Sequence, residues 1–235
     1  MKNFSFVFVM CFIGFSVSLI HSCSKDGGTS FHSGTPSDSV ITTSFIEEFK
    51  DMYTLTTTGI WITKDNSTNN NNTTNAYWSQ GLVGIDKYGN PYGFPAYSYS
   101  SSKDEYAASG AYLGTTSSWL ITPVLSVKNG DKISSYTRGD ATGNYIDRMQ
   151  VLMDKSTSPD VGDSVNSVGS FTTVLFNINA AQALTGYPTT WTKYEYTFSG
   201  ISGKINTRIA FRHYVVDPQG VVMGVGIDLF KFLAN

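Results

Sequence analysis

From Ser44 onward the chain is built of short runs in which apolar and polar residues alternate, and no 3.6-residue periodicity lasts longer than a few turns. Alternation with period two places successive side chains on opposite faces of an extended strand, so these runs predict an all-β fold. They are Phe45–Phe49, Gly59–Thr63, Ala107–Leu113, Ser118–Thr122, Lys132–Thr137, Tyr145–Asp154, Gly169–Phe176, Lys193–Phe198, Asn206–Val216 and Val221–Phe232. In Asn206–Val216, Ile209, Phe211, His213 and Val215 share one face, and Arg208, Ala210, Arg212 and Tyr214 the other. Met149, Val151 and Met153 likewise make a core face, with Arg148 and Gln150 pointing out. So many strands in one domain predict a two-sheet sandwich, which hides most strand edges by pairing. A short helix is expected over Asn179–Leu184, where alanines cluster.

The N-terminus has a different job. Lys2 leads an apolar run from Phe4 to Ile20, followed by His21-Ser22-Cys23 and then Ser24-Lys25-Asp26. A basic start, an apolar stretch and a small residue before the cut read as an export signal, and the run is short for a membrane span of about 20 residues. Ile20 and Ser22 before Cys23 resemble the bacterial lipobox. Residues 1–22 are therefore expected to be a lipoprotein signal peptide and Cys23 the lipidated N-terminus. Residues 23–43, rich in Gly, Ser, Thr, Asp and Pro, should be a flexible tether, and residues 44–235 one domain. Two acyl chains suffice to hold a protein on a bilayer.

The rest of the inventory narrows the function classes. Cys11 lies in the signal and Cys23 is the acylation site, so no disulfide is available to the folded part. Cleavage removes Lys2 and no acid, leaving 15 of the 16 basic residues against 18 acidic ones, a formal −3. With no cluster of Lys or Arg, nucleic acid is not an expected partner. His213 is the single histidine after the tether, which leaves little material for a nucleophile-and-base constellation or a zinc site. A carboxylate pair of the glycosidase kind stays open, because acids are scattered from Glu47 to Asp228.

A series of landmarks then carries a family resemblance. They are Glu47-Glu48-Phe49, Trp61, Tyr106-Ala107-Ala108-Ser109, Trp119-Leu120-Ile121-Thr122-Pro123, Asp147-Arg148, Val168-Gly169-Ser170-Phe171, Trp191, Ala210-Phe211-Arg212 and Gly226-Ile227-Asp228. In this order they resemble the choice-of-anchor J domain, the cleaved-adhesin relative of MAM-like jelly rolls. The resemblance implies a jelly-roll β-sandwich in a Gram-negative surface lipoprotein, used for adhesion or carbohydrate binding rather than catalysis. It also implies a structural calcium ion between Glu48 and Asp228, with Glu47 as a further acid. From the residues themselves, Trp119, Trp61 and Trp191 are expected in the core, Pro123 should end a ladder because it lacks an amide donor, and Arg148 should find a cross-strand carboxylate.

Two segments interrupt the strand pattern. Asp65 to Asn75 is nearly pure Asn, Thr and Ser, the composition of a surface loop. Trp78 to Tyr99 mixes Gly and Pro with aromatics, and Tyr88, Tyr92, Phe94 and Tyr97 are the candidate ligand-binding residues. Saccharides pack their C–H faces on such rings, and protein partners use them as anchors. The expected ligand is a glycan or a surface protein, bound by a lipid-anchored module facing outward from the outer membrane. A structural subunit of an outer-membrane complex is the alternative, and a glycoside-processing enzyme the third reading.

Overall fold

The computed structural model describes residues 29–30, 39–68, 78–82, 84–85, 91–92, 105–110, 114–140, 144–216 and 222–235. In chain order its elements are β1 Thr29–Ser30, β2 Val40–Ile41, β3 Phe45–Glu47, α1 Met52–Thr57, β4 Ile62–Asp65, β5 Trp78–Leu82, β6 Gly84–Ile85 and β7 Pro91–Tyr92. They continue with β8 Glu105–Gly110, β9 Thr116–Ile121, β10 Val124–Val127, β11 Lys132–Arg138, β12 Met149–Asp154, β13 Thr173–Ile178, β14 Thr192–Thr197, β15 Ile205–Val215 and β16 Gly224–Leu233.

Two sheets face each other, each built on one long strand. In the first, β16 pairs with β11 on one side, and on the other with β3 at its C-terminal half and β8 at its N-terminal half. Outer strands β14, β5 and β1 complete it. In the second, β15 pairs with β12 on one side and with β9 and then β10 on the other, with β13, β4 and β2 outside. Strands β9 and β10 are one path broken at Pro123, as its missing amide predicts; Thr122 bridges the break, its Oγ1 accepting from the Ile209 amide at 3.0 Å. This is the all-β, two-sheet jelly-roll sandwich that the alternation and the resemblance implied.

The main core lies between the sheets. Phe49, Trp61, Phe211 and Phe230 meet edge to face, with ring centroids 5.1 Å apart for Phe49–Trp61, 5.4 Å for Trp61–Phe230 and 5.9 Å for Phe211–Phe230. Ile209 and Phe211 of β15 and Met149, Val151 and Met153 of β12 point into it, as their alternation predicts. A second core sits on the outer face of the second sheet, where Trp119, Ile121, Leu152 and Ala210 are covered by Val161 and Phe171 from the loop between β12 and β13. That loop closes on itself at Gly169, whose φ of +50° and whose missing Cβ, which would lie 2.3 Å from the Asp160 carbonyl oxygen, leave no room for another residue.

Several expectations are corrected here. Trp119 is buried, but in this outer cluster rather than between the sheets, and Gln150 is buried with its Oε1 accepting from Arg212 Nη1 at 3.1 Å instead of pointing into water. Trp191 is only half-buried, set edge-on against Tyr106 at 5.6 Å. Asn179–Leu184 forms turns and not a helix: Asn179 and Gln182 take positive φ, and the Asn179 side chain holds the Ala183 amide, an alternative to helical bonding that asparagine readily offers. The helix is instead α1, started by Asp51, whose carboxylate accepts from the Thr54 amide at 2.9 Å. Gly59–Thr63 is displaced to β4, because Gly59 turns at φ +73°.

Strands β1, β2, β5, β6 and β7 lie where irregular chain was expected. Val40–Ile41, within the presumed tether, pair in parallel with β10 and bury Ile41. Trp78–Leu82 forms β5 with Trp78 buried. Asn66 at the start of the polar insertion is pinned to Ser117 and Gly162, and residues 69–75 lie outside the described residues.

Candidate functional site

At one end of the sandwich a polar array crosses the gap between the sheets. His213 sits on the inner face of β15, where its neighbours along the strand are apolar, so both ring nitrogens need partners within the protein. Ser109 Oγ on β8 of the opposite sheet is 3.1 Å from Nδ1, and Asp147 Oδ1, just before β12, is 3.1 Å from Nε2. All three side chains are at most 1% exposed. A second cross-sheet bond runs alongside, from Trp78 Nε1 to the Ser118 carbonyl at 3.2 Å. Ser118 Oγ, in register with His213, has no partner.

The order serine, histidine, aspartate is that of a nucleophilic relay, and the sequence reading, which found little material for one, did not foresee it. Nothing in the spacing of positions 109, 147 and 213 could have joined them; strands β8 and β15 and the chain entering β12 do. The surroundings do not serve acyl transfer. Ser109 is sealed between the sheets, and the adjoining cavity, lined by Gly139, Asp140, Tyr145, Asp147 and Tyr187, has about 10 Å³, space for one water. Tyr187 closes it from the core, hydrogen-bonded to Thr137 Oγ1 at 2.7 Å, with its phenol pushed well above the usual range by burial. The array locks the two sheets together.

The predicted metal residues are placed as follows. Glu48 is paired with Lys50, whereas Glu47 turns inward and is 6% exposed. Burial pushes the Glu47 carboxyl up to about 7, against the pull of the Phe49 and Glu48 amides. Asp228 is fully buried and its Oδ1 accepts from the Leu229 amide at 2.6 Å. Glu47 stands opposite Phe230 in the β3–β16 register, two residues from Asp228. Of the two acids at the first strand, it is therefore Glu47 that shares the interior with Asp228. Among the described residues no group of three or more His, Cys, Asp or Glu side chains converges.

The predicted ligand residues Tyr88, Phe94 and Tyr97 lie outside the described residues, and Tyr92 is placed only as part of β7, paired with Gly84. Cys23 also lies outside them. A different surface cluster is described in full, on the outer face of the second sheet. Arg148 does not meet the carboxylate expected of it: its Nε donates to Asn177 Oδ1 at 2.9 Å and its guanidinium lies 5.1 Å from the Tyr214 ring centroid. The sequence signal was available in part, since Arg148, Arg212 and Tyr214 all carry outward parity on neighbouring strands.

The fold so defined is a two-sheet β-sandwich, shared with solved cleaved adhesin domains. The K1 cleaved adhesin domain of Lys-gingipain from Porphyromonas gingivalis W83 superposes with a TM-score of 0.53 at 18% identity, over 82% of this chain and 99% of that one. The K2 cleaved adhesin domain of Lys-gingipain gives 0.50 at 18% identity, over 81% and 99%. No family model matches the sequence, and no curated protein is similar to it in sequence.

Proposed function

We propose that this chain is a lipid-anchored, non-enzymatic binding or adhesion module exposed on the outer membrane, with a glycan as its ligand. The observation that carries the reading is the fold: nearly the whole length of a domain described as a cleaved adhesin overlays on this chain. The sealed serine of the buried array and a cavity with room for one water support binding at the surface over chemistry inside. The lipobox-like Ile20-His21-Ser22-Cys23 supplies the anchor, and the aromatics Tyr88, Tyr92, Phe94 and Tyr97 the first candidate contact surface.

Both halves of the reading are open to direct test. Retardation of the detergent-solubilised full chain in native gels containing a panel of neutral and acidic polysaccharides is the expected sign of a glycan ligand; uniform migration through the whole panel would overturn it. For the anchor, Cys23→Ala should move the protein from the membrane fraction to the soluble one and abolish labelling by radioactive fatty acid. Unchanged fractionation and labelling would remove the lipoprotein half of the proposal.

A structural calcium ion belongs to the same reading, held by Asp228 with Glu47 or Glu48. A ligand that binds only the native state stabilises it by mass action, so calcium added to the chelated protein should raise the melting temperature. Asp228→Asn should abolish that rise. Glu48→Gln tells the two neighbouring acids apart: loss of the rise assigns the second carboxylate to Glu48, and a rise left in place assigns it to Glu47. A wild-type protein indifferent to calcium would refute the site.

A further inference from the structure

On the outer face of the second sheet, cations and aromatic rings alternate. The guanidinium carbon of Arg212 lies 4.7 Å from the Trp119 ring centroid and 3.7 Å from that of Tyr214, and that of Arg148 lies 5.1 Å from the Tyr214 centroid. Arg212 is 1% exposed and places its N–H groups on Ser117 Oγ, Gln150 Oε1 and the Val165 carbonyl. Burial pushes its guanidinium down to about 10, and the like charge of Arg148 adds a smaller push the same way. Buried charges are ordinarily paired with an opposite charge. Here no carboxylate among the described residues forms an ion pair with either arginine.

The polar atoms around Arg148 are distributed one-sidedly. Asn177 and Asn166 are both exposed, and each has committed its carbonyl oxygen, one to Arg148 Nε at 2.9 Å and the other to the Tyr214 hydroxyl at 2.7 Å. Nη1 and Nη2 of the half-buried Arg148, and both amide NH2 groups, meet no acceptor among the described residues. The uncommitted nitrogen groups of the cluster are therefore all donors. A ligand that satisfies them must be rich in acceptors, and one carrying negative charge also offsets two adjacent guanidinium groups that nothing else neutralises.

We propose that Arg148, Asn166 and Asn177, braced by Tyr214, form a subsite for the carboxylate of an acidic saccharide. The planar guanidinium fork matches a carboxylate in two parallel hydrogen bonds, and the amides reach the flanking ring oxygens. This subsite rests on the glycan reading and fixes its charge class as uronate-like. It is also separate from Tyr88, Tyr92, Phe94 and Tyr97 in sequence, so the two can be tested independently.

The experiment is affinity electrophoresis of the detergent-solubilised full chain in gels containing polygalacturonate, neutral galactan or polyglutamate. Polygalacturonate should retard the wild type, and Arg148→Gln should weaken that retardation about ten-fold, the loss of a charge-assisted bidentate contact. Arg148→Lys, which keeps the charge without the fork, should fall between. Equal retardation of wild type and Arg148→Gln would overturn the subsite. Retardation by galactan with none by polygalacturonate would overturn it while leaving the glycan reading standing; retardation by neither, nor by any other polysaccharide, would remove both. Binding to polyglutamate as strong as to polygalacturonate would show a bare anion site and overturn the saccharide assignment. If Arg148→Gln lowers the melting temperature, Asn177→Ala on the exposed edge strand replaces it, with the same expected weakening.

Discussion

Replacing Trp119 by Ala should destabilise the protein by roughly 3–5 kcal/mol in a denaturant titration, the range for deleting a fully buried aromatic side chain. The indole is 0% exposed, 5.8 Å from the Phe171 ring, and bonded through Nε1 to Ser117 Oγ at 3.1 Å. It also supplies one of the two aromatic faces that hold the Arg212 guanidinium, so its loss leaves a buried cation with less compensation. Because Trp119 lies under the β12–β13 loop and not between the sheets, the damage should be local at first. Cleavage by a broad-specificity protease should begin in residues 155–172 well below the global transition. Phe171→Ala should produce the same early cleavage, and the double variant should cost less than the sum of the two, since both remove one contact. A loss below about 1 kcal/mol for Trp119→Ala would show that the outer cluster contributes little, far under the buried-aromatic range.

The position of that tryptophan shows how far the sequence could be read. Alternation marked which residues of β12 and β15 share a face, and that part of the fold follows directly: Met149, Val151, Met153, Ile209 and Phe211 all enter the inter-sheet core. What alternation cannot state is whether the opposite face meets water or a loop. Gln150, Arg212 and Trp119 carry the same outward parity as an exposed strand face would, yet all three are buried, Trp119 under Val161 and Phe171 and Arg212 bonded to the Val165 carbonyl, from a Gly- and Ser-rich stretch that reads as ordinary connection. The helix failed for a related reason. Met52–Thr57 is rich in threonine, a poor helix former, and one capping carboxylate at Asp51 decides its conformation; Asn179–Leu184 has better helix formers, and one asparagine diverts it. Of the candidate site residues, Glu48 and Asp228 have their side chains described: Glu48 pairs with Lys50, and Asp228 is buried. Arg148 found an amide and a ring because the strand beside it offered Asn177, which no sequence spacing announces.

Truncating Asp147 to Ala should cost about 1–3 kcal/mol, since removing one partner of a buried hydrogen bond leaves the other unsatisfied. With the carboxylate gone, His213 Nε2 keeps no acceptor in a site that is 0% exposed, and the cavity beside it holds at most one water in replacement. Asp147→Asn keeps an oxygen within reach of the ring and should cost less, on the order of 1 kcal/mol, the net worth of a single hydrogen bond. His213→Phe removes the other partner and leaves Ser109 Oγ and the carboxylate both unanswered, so it too should be destabilising. Joining Asp147→Ala to His213→Phe then removes both ends of the bond together. The double variant should recover about 0.5–3 kcal/mol of the summed single losses, the coupling of groups in direct contact. Strict additivity would mean that the Ser109–His213–Asp147 array does not act as one unit across the two sheets. If the coupling is found while binding to polysaccharide by the milder Asp147→Asn protein is unchanged, the array's role is to fasten the sandwich. The ligand then has to be sought on its surface, with Arg148 as the first position to vary.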